Sequence, residues 1–211
     1  MNLLELFTKK EGIFTLEDRS FVGGIFYDMI LYPVPGQRLI VRNVKFIKCK
    51  VQPGTCLMSS GVELDDVVFE ELQCGDAIRL LADNVIGKVT IRGKKPGRLW
   101  VTPAKQDGKK GQPKISGTLD ISGYKGEVII IGLPIHQVCF NPDNHYTIDL
   151  DKFRSVKWKA LGMEDSYWRI AVKKVKAFGA RTGVFRLPKQ ERSWYEGAMK
   201  DREALRKLGA L

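Results

Sequence analysis

The sequence lacks the segments that mark membrane and secreted proteins. It contains no apolar run close to the about 20 residues that a transmembrane helix needs. Its apolar start, residues 1–7, carries Glu5 and precedes Lys9 and Lys10, whereas a secretory signal places its positive charges before a longer apolar core. The sequence therefore predicts a cytoplasmic protein with no membrane contact.

Cysteine and histidine are scarce, which limits metal, disulfide and acid–base chemistry. The chain has four cysteines and two histidines, and no two cysteines form a C-x-x-C pair. Since thiols stay reduced in the cytosol, we expect four free cysteines. The segment His136-x-x-Cys139, with His145 beyond it, lacks the remaining ligand of a zinc site. We predict no metal and no cofactor.

The usual nucleotide-binding and hydrolase motifs are also missing. The sequence contains no G-x-S-x-G, no G-x-G-x-x-G and no G-x-x-x-x-G-K-[ST] element. Residues 105–114 form a Gly- and Lys-rich stretch that predicts an exposed loop, with phosphate binding at 108–111 as the alternative. These observations favour a non-catalytic protein over an enzyme.

Positive charge is concentrated near the C-terminal end. The net charge is +11, and residues 152–211 hold 16 Lys/Arg against 6 Asp/Glu, while residues 1–151 hold 19 against 18. Within the near-neutral part, residues 59–87 are acidic and residues 88–125 are basic. Such an imbalance indicates an acidic partner for residues 152–211, or a solubilising role.

A short apolar pattern recurs in the middle of the chain. Val-Lys-Phe at 44–46 returns as Val-Val-Phe at 67–69 and as Val-Thr-Ile at 89–91, at offsets of 23 and 22 residues. Residues two apart lie on the same face of a strand, so stacked copies would align like with like. The predicted inward-facing residues are Val44, Phe46, Val67, Phe69, Val89 and Ile91.

These stacked units resemble right-handed single-strand β-helix proteins, over residues 41–131 at most. The resemblance implies a mainly β protein built as a short right-handed parallel solenoid. A β-sandwich or roll is the alternative, because many short strands fit it too. The left-handed hexapeptide β-helix of acyltransferases fits only one hexad, at 51–57.

The two ends of the chain have helical patterns. Asn2 and Glu5 resemble a capping box and predict a short helix that covers the open first coil. Helical spacing runs over 164–178, and Ser193 with Glu196 forms a second capping box before a helix over 193–208. The predicted division is 1–40 for the cap and lead-in strands, 41–150 for the solenoid and 151–211 for a basic, mainly helical subdomain.

Two sets of charged residues are candidate sites. The basic set is interleaved with aromatic residues, a combination that suits phosphates and bases or an acidic protein. It comprises Lys173, Lys174, Lys176, Arg181, Arg186, Arg202 and Arg206. The acidic set could bind Ca²⁺ or perform acid–base work, or could pair with basic residues of the next coil. It comprises Asp65, Asp66 and Asp76, with Arg79.

The sequence ranks three functions. The leading hypothesis is a scaffold that binds a protein partner, for example as a cognate inhibitor or immunity-type protein, because small solenoids of this kind more often bind than catalyse. The second is a nucleic-acid-binding protein that uses the basic helices. The third is a carbohydrate-active enzyme, an activity often found in larger proteins of the class that the repeat resembles. The oligomeric state is left open.

Overall fold

A computed structural model describes residues 1–104 and 116–211. The predicted loop at 105–114, with its phosphate-binding alternative, lies outside the described residues. Within them the strands are β1 (Thr8–Lys10), β2 (Ile13–Val22), β3 (Ile25–Leu31), β4 (Arg38–Ile47), β5 (Lys50–Met58), β6 (Val62–Glu70), β7 (Ile78–Leu81), β8 (Lys88–Arg92), β9 (Arg98–Thr102), β10 (Thr118–Asp120), β11 (Glu127–Ile131), β12 (Val138–Cys139), β13 (His145–Asp149) and β14 (Thr182–Arg186). The α-helices are α1 (Tyr167–Ala177) and α2 (Tyr195–Lys207).

From β2 to β12 the chain alternates between two sheets. Sheet A has the order β1-β2-β4-β6-β8-β10-β12, and sheet B the order β13-β14-β11-β9-β7-β5-β3. Each coil therefore gives one strand to each sheet, and successive coils pair in parallel. The predicted solenoid is confirmed, with about 4 turns. A sandwich is excluded because its sheets are antiparallel.

The predicted inward ladder is confirmed. Val44 pairs with Val67, which pairs with Val89, and Phe46, Phe69 and Ile91 align in the same way. All six side chains are at most 1% exposed. The alternation of inward and outward residues along each strand therefore builds the apolar core between the two sheets.

The corner at the end of each sheet A strand has the same backbone conformation in four coils. Gly23, Lys48, Glu71 and Gly93 follow the last residues of β2, β4, β6 and β8, and all have positive φ, between 50° and 95°. Their amides donate to the next coil, for example from Lys48 N to Glu70 O at 2.8 Å. The stack holds this left-handed turn even where the residue is not glycine.

The N-terminal segment covers the first coil, although not as an α-helix. β1 pairs antiparallel with β2 at the edge of sheet A. Leu3–Leu6 forms one turn of 3-10 helix capped by the Asn2 side chain, and Met1 O accepts from Tyr27 N at 2.9 Å on the edge of β3. The amphipathic helix predicted here is wrong in type, because the turn ends just before β1 and is too short for i to i−4 bonding.

The C-terminal helices pack on the outer face of sheet B. β14 lies between β11 and β13, antiparallel to both. Ile131, Phe185 and Trp168 belong to a second core cluster, and Trp168 Nε1 donates to Ala198 O at 2.7 Å between the helices. The Ser193 capping box is wrong, since α2 starts at Tyr195 without a side-chain cap. The domain division at 150 stays a prediction.

Candidate functional site

Three of the predicted basic residues lie together on the exposed side of α1. Lys173, Lys174 and Lys176 are exposed. Within the described part of the chain, none of them forms an ion pair. The opposite side of α1 is buried around Trp168 and Val175. This helix therefore presents a strip of free positive charge.

Two further residues of the basic set are held by the fold. Arg181 forms ion pairs with Asp151 and, at 3.9 Å, with Asp149. Arg186 donates to the carbonyl oxygens of Lys125 and, at 2.8 Å, of Gly126, which ties β14 to the turn before β11. Their guanidinium groups thus have partners within the chain.

Arg202 and Arg206 lie one turn apart on α2, in the wall of a cleft. The cleft has a volume of about 240 Å³ and lies between α2 and β13. Its walls are Phe140, Pro142, His145, Tyr146, Thr147, Asp149, Lys152, Arg202, Arg206, Ala210 and Leu211. Burial, and after it the charge of Arg206, lowers the pKa of Arg202. The two guanidinium groups are therefore close enough to repel each other.

His145 is the buried titratable group of the same cleft. It is 2% exposed, and its Nδ1 lies 3.1 Å from the Asn141 carbonyl oxygen. Burial lowers its pKa, and Arg186 lowers it further, while the bond to Asn141 opposes the shift. A carbonyl oxygen only accepts, so Nδ1 carries the proton and Nε2 is the bare nitrogen. In the part of the chain that is described, Nε2 has no hydrogen-bond partner.

The acidic set is paired with arginines rather than gathered into one site. Asp65 of β6 lies 3.2 Å from Arg42 of β4 on sheet A. Asp76 lies before β7 and contacts Arg79 at 2.6 Å and Arg98 at 3.1 Å, both on sheet B. Arg79 in the first place, with Arg98, lowers the pKa of Asp76.

Asp66 has a different environment. It is exposed and has φ 52°.

Ion pairs also join adjacent coils elsewhere, as between Arg38 and Glu63 and between Glu70 and Arg92. The acidic block of 59–87 thus faces basic residues of the coils before and after it, the cross-strand pairing that the sequence left as an alternative.

A second groove lies between the N-terminal ends of α1 and α2. Its volume is about 760 Å³, and its charged lining residues are Glu164, Asp165 and Asp201. Tyr167 and Trp194 stack there, with ring centroids 5.0 Å apart. Acidic side chains near helix N-termini offset the positive end of the helix dipole. The C-terminal region is therefore not uniformly basic.

The first coils expose an apolar surface on the outer face of sheet B. Along β3 and just beyond it, Phe26, Met29 and Leu31 point inward and are buried. Ile25, Tyr27 and Ile30 of β3 point outward, and Tyr27 and Tyr32 are 67% and 71% exposed. The sheet-B surface, as we call it, consists of Ile25, Tyr27, Ile30, Tyr32, Leu57, Arg79 and Trp100.

The sheet-B surface is part of a row of outward-facing side chains that runs across sheet B. The helices cover the other end of this row. Strand pairing aligns Ile30 with Leu57, Leu57 with Arg79, and Arg79 with Trp100. The Arg79 guanidinium lies 4.8 Å from the centre of the Trp100 ring. The row continues through Ile129 and Phe185, which pack in the cluster under α1. Apolar outward residues are thus buried at one end and left accessible at the other.

Sequence reasoning missed this surface. Alternation does not assign an outward face in this segment, because both faces of β3 are apolar and the strand changes register between Tyr27 and Met29. Asp28, with φ 58°, occupies that irregularity. A signal was present in Ile25-x-Tyr27 followed by Ile30-x-Tyr32, two alternating pairs separated by one extra residue. A β-bulge has this signature.

The fold places the chain in the class of small β-solenoid proteins. Compared with protein-family models, curated proteins and solved structures, the chain matches none. Over residues 1–104 and 116–211, no helix has the length and apolar character to cross a bilayer. The same residues contain no cluster of histidine, cysteine or carboxylate side chains suited to a metal ion.

Proposed function

We propose that this solenoid is a non-catalytic scaffold that binds a protein partner through the sheet-B surface. The observation that carries the proposal is the row formed by the exposed Ile30 and the half-buried Leu57 and Trp100, next to the exposed Tyr27 and Tyr32. Contiguous apolar surface on a folded protein is typical of interaction sites. Tyrosine, tryptophan and arginine are also the residues most enriched among binding hot spots.

The scaffold is suited to binding because its surface is preformed. The side chains of the sheet-B surface stand on parallel strands that are paired in register across β3, β5, β7 and β9. Little backbone order remains to be gained on association, which lowers the entropic cost of binding. An inhibitor or immunity-type role would use such a rigid face.

The border of the surface indicates the chemistry of the partner. Lys50 pairs with Ile25 in the neighbouring strand, and Arg79 pairs with Leu57; both are exposed. Arg79 is also paired with Asp76, whereas Lys50 forms no ion pair within the described residues. The complementary partner has an apolar patch with an acidic residue placed to meet Lys50, because opposite potentials steer association and set register.

Nucleic-acid binding is the second candidate, supported by the unpaired Lys173, Lys174 and Lys176 on α1. Phosphate contacts from such lysines would make affinity fall steeply with salt. The carbohydrate-active alternative has less support. Asp65 and Asp76 are each bound to arginine and belong to different sheets.

A three-way comparison tests the proposal. The wild type is compared with a Tyr27→Ser/Tyr32→Ser variant and with a Lys173→Gln/Lys174→Gln/Lys176→Gln variant, all at exposed positions. A captured protein is purified and its affinity for each form is measured. We expect the tyrosine variant to lose at least ten-fold in affinity and the lysine variant to keep most of it. If the tyrosine variant binds the captured protein as tightly as the wild type does, the sheet-B surface is not the binding site. If the protein binds oligonucleotide with a steep salt dependence that only the lysine variant loses, nucleic-acid binding becomes the leading function.

A further inference from the structure

The cleft between α2 and β13 combines positive charge with enclosure. Lys152, Arg202 and Arg206 line it, against one carboxylate, Asp149. Asp149 also lies 3.9 Å from Arg181, which lies outside the lining. The lining therefore holds three cationic side chains and one carboxylate side chain, and Arg206 is also paired with Glu203 outside the lining.

Arg202 is the more buried of the two lining cations, Arg202 and Lys152, that form no ion pair within the described residues. Within the described residues it has no hydrogen bond and no ion pair, and it is only half-exposed. Arg206 pairs with Glu203 at 3.2 Å, on the outer side of α2, where Glu203 is 61% exposed. A partly buried guanidinium without a partner is costly unless an anion joins it.

The size and shape of the cleft limit the anion. Its volume of about 240 Å³ is below the roughly 300–1,000 Å³ of pockets that enclose a drug-sized ligand. It therefore suits one anionic group. Two arginines present planar forks that match the oxygens of a phosphoryl group, and Lys152 and the Thr147 hydroxyl add further donors.

We propose that the cleft formed by Lys152, Arg202, Arg206 and Thr147 is a binding site for a phosphoryl group. The site is separate from the sheet-B surface and does not depend on the proposed function. A free phosphate, a phosphorylated small molecule and a nucleic-acid backbone share this chemistry, and the test separates them.

The probe is inorganic phosphate, and its affinity is measured by calorimetry and by thermal unfolding against chloride at equal ionic strength. Phosphate is expected to bind the wild type and raise its Tm. Arg202→Gln and Arg206→Gln are each expected to weaken binding about ten-fold or more, the loss of one charge-assisted contact. The phosphate affinity of Arg202→Lys should lie between those of the wild type and Arg202→Gln, because lysine keeps the positive charge and loses the planar pair of donors. The matched control, Lys173→Gln/Lys174→Gln, removes two exposed charges and should bind phosphate as the wild type does.

Oligonucleotide and phenyl phosphate are the comparison ligands. If oligonucleotide competes with phosphate, and Arg202→Gln loses the binding of both ligands, the site binds a nucleic-acid backbone. If phenyl phosphate competes with inorganic phosphate and oligonucleotide does not, the site binds a small phosphorylated molecule. If an arginine variant fails to fold, NMR of the wild type decides: phosphate should shift the amide signals of Thr147 and Arg202. Shifts spread over α1, or equal binding by the arginine variants and the control, would overturn the proposal.

Discussion

The ring of Phe46 lies flat against the ring of Phe69, with centroids 5.4 Å apart and 7° between their planes. Phe21 continues the stack on the other side of Phe46, at 5.4 Å and 19°. These three rings come from three successive coils. Coil-to-coil contact in the core is therefore made by the same residue type repeated in register, and cohesion between coils depends on it.

Phe69→Ala should destabilise the protein by about 3–5 kcal/mol, because it leaves a cavity in the core between Phe46 and Ile91. The free energy of unfolding in urea measures the change. Phe178→Ala is the control, since Phe178 is 48% exposed at the end of α1 and its loss should cost little. A cost below about 1 kcal/mol at Phe69 would show that the ladder does not hold the coils together.

Lys48→Gly should stabilise the protein by about 0.5–1 kcal/mol. Lys48 has φ 53° and is exposed, and the left-handed conformation costs a non-glycine residue about 1–2 kcal/mol. Glycine removes that cost and keeps the hydrogen bond from the backbone amide of residue 48 to the Glu70 carbonyl oxygen. Part of the gain is offset because glycine loses more backbone entropy on folding. Lys45→Gly is the matched control, because Lys45 is an exposed lysine inside β4 and glycine there should destabilise. The same change in stability at both positions would show that the left-handed conformation of Lys48 is not the cause.

Alkylation under native conditions should label the cysteines in a fixed order. All four are free thiols, as the sequence predicted; Cys139 is exposed, Cys74 is half-buried, and Cys49 and Cys56 are buried. Burial raises the pKa of Cys74 to about 11 and that of Cys56 well above its usual value. Since the thiolate is the reactive form, Cys139 should react first at pH 8. Mass spectrometry after timed iodoacetamide treatment checks the order, and early labelling of Cys56 would refute it.

Stability should fall as the pH drops below about 6.5, partly because of His145. Burial lowers its pKa in the folded state from the ordinary value of 6.5. The unfolded chain therefore takes up this proton first, so the stabilisation is complete above pH 6.5 and is lost as pH falls toward the folded-state pKa. His145→Gln should flatten urea-measured stability between pH 7 and 5.5, whereas His136→Gln, at an exposed position, should not. The same slope in both variants would place the effect elsewhere.

The solenoid was predictable because its signal is local and repeated. The Val-x-Phe pattern at 44–46 and 67–69 alternates within each strand and returns at nearly constant offset, so one rule describes several coils. The helices α1 and α2 were predictable from their 3.6-residue periodicity. Their first residues were less so: the spacing ran over 164–178, whereas α1 begins at Tyr167 with Ser166 as its cap, whose side chain accepts from Arg169 N.

The candidate surfaces were harder to predict, because they depend on what packs against what. The composition placed the positive charge in 152–211, but only the fold separates Lys173 on the open side of α1 from Arg186, whose guanidinium is tied to the chain before β11. Nothing in the sequence near Trp100 or Ile129 tells that one is half-exposed and the other lies under a helix.

By itself, the sequence determined the coil: which residues of the recurring units at 44–46, 67–69 and 89–91 point inward, how long each repeat is and where the cysteines and the excess charge lie along the chain. These are consequences of side-chain alternation and of covalent order. The tertiary structure alone decided the left-handed corners at Lys48 and Glu71 and the part of sheet B that the helices leave open. In both cases the deciding contacts come from other coils or from distant segments, and hydrogen bonds between neighbouring coils outweigh the local preference of a lysine or glutamate for another backbone conformation.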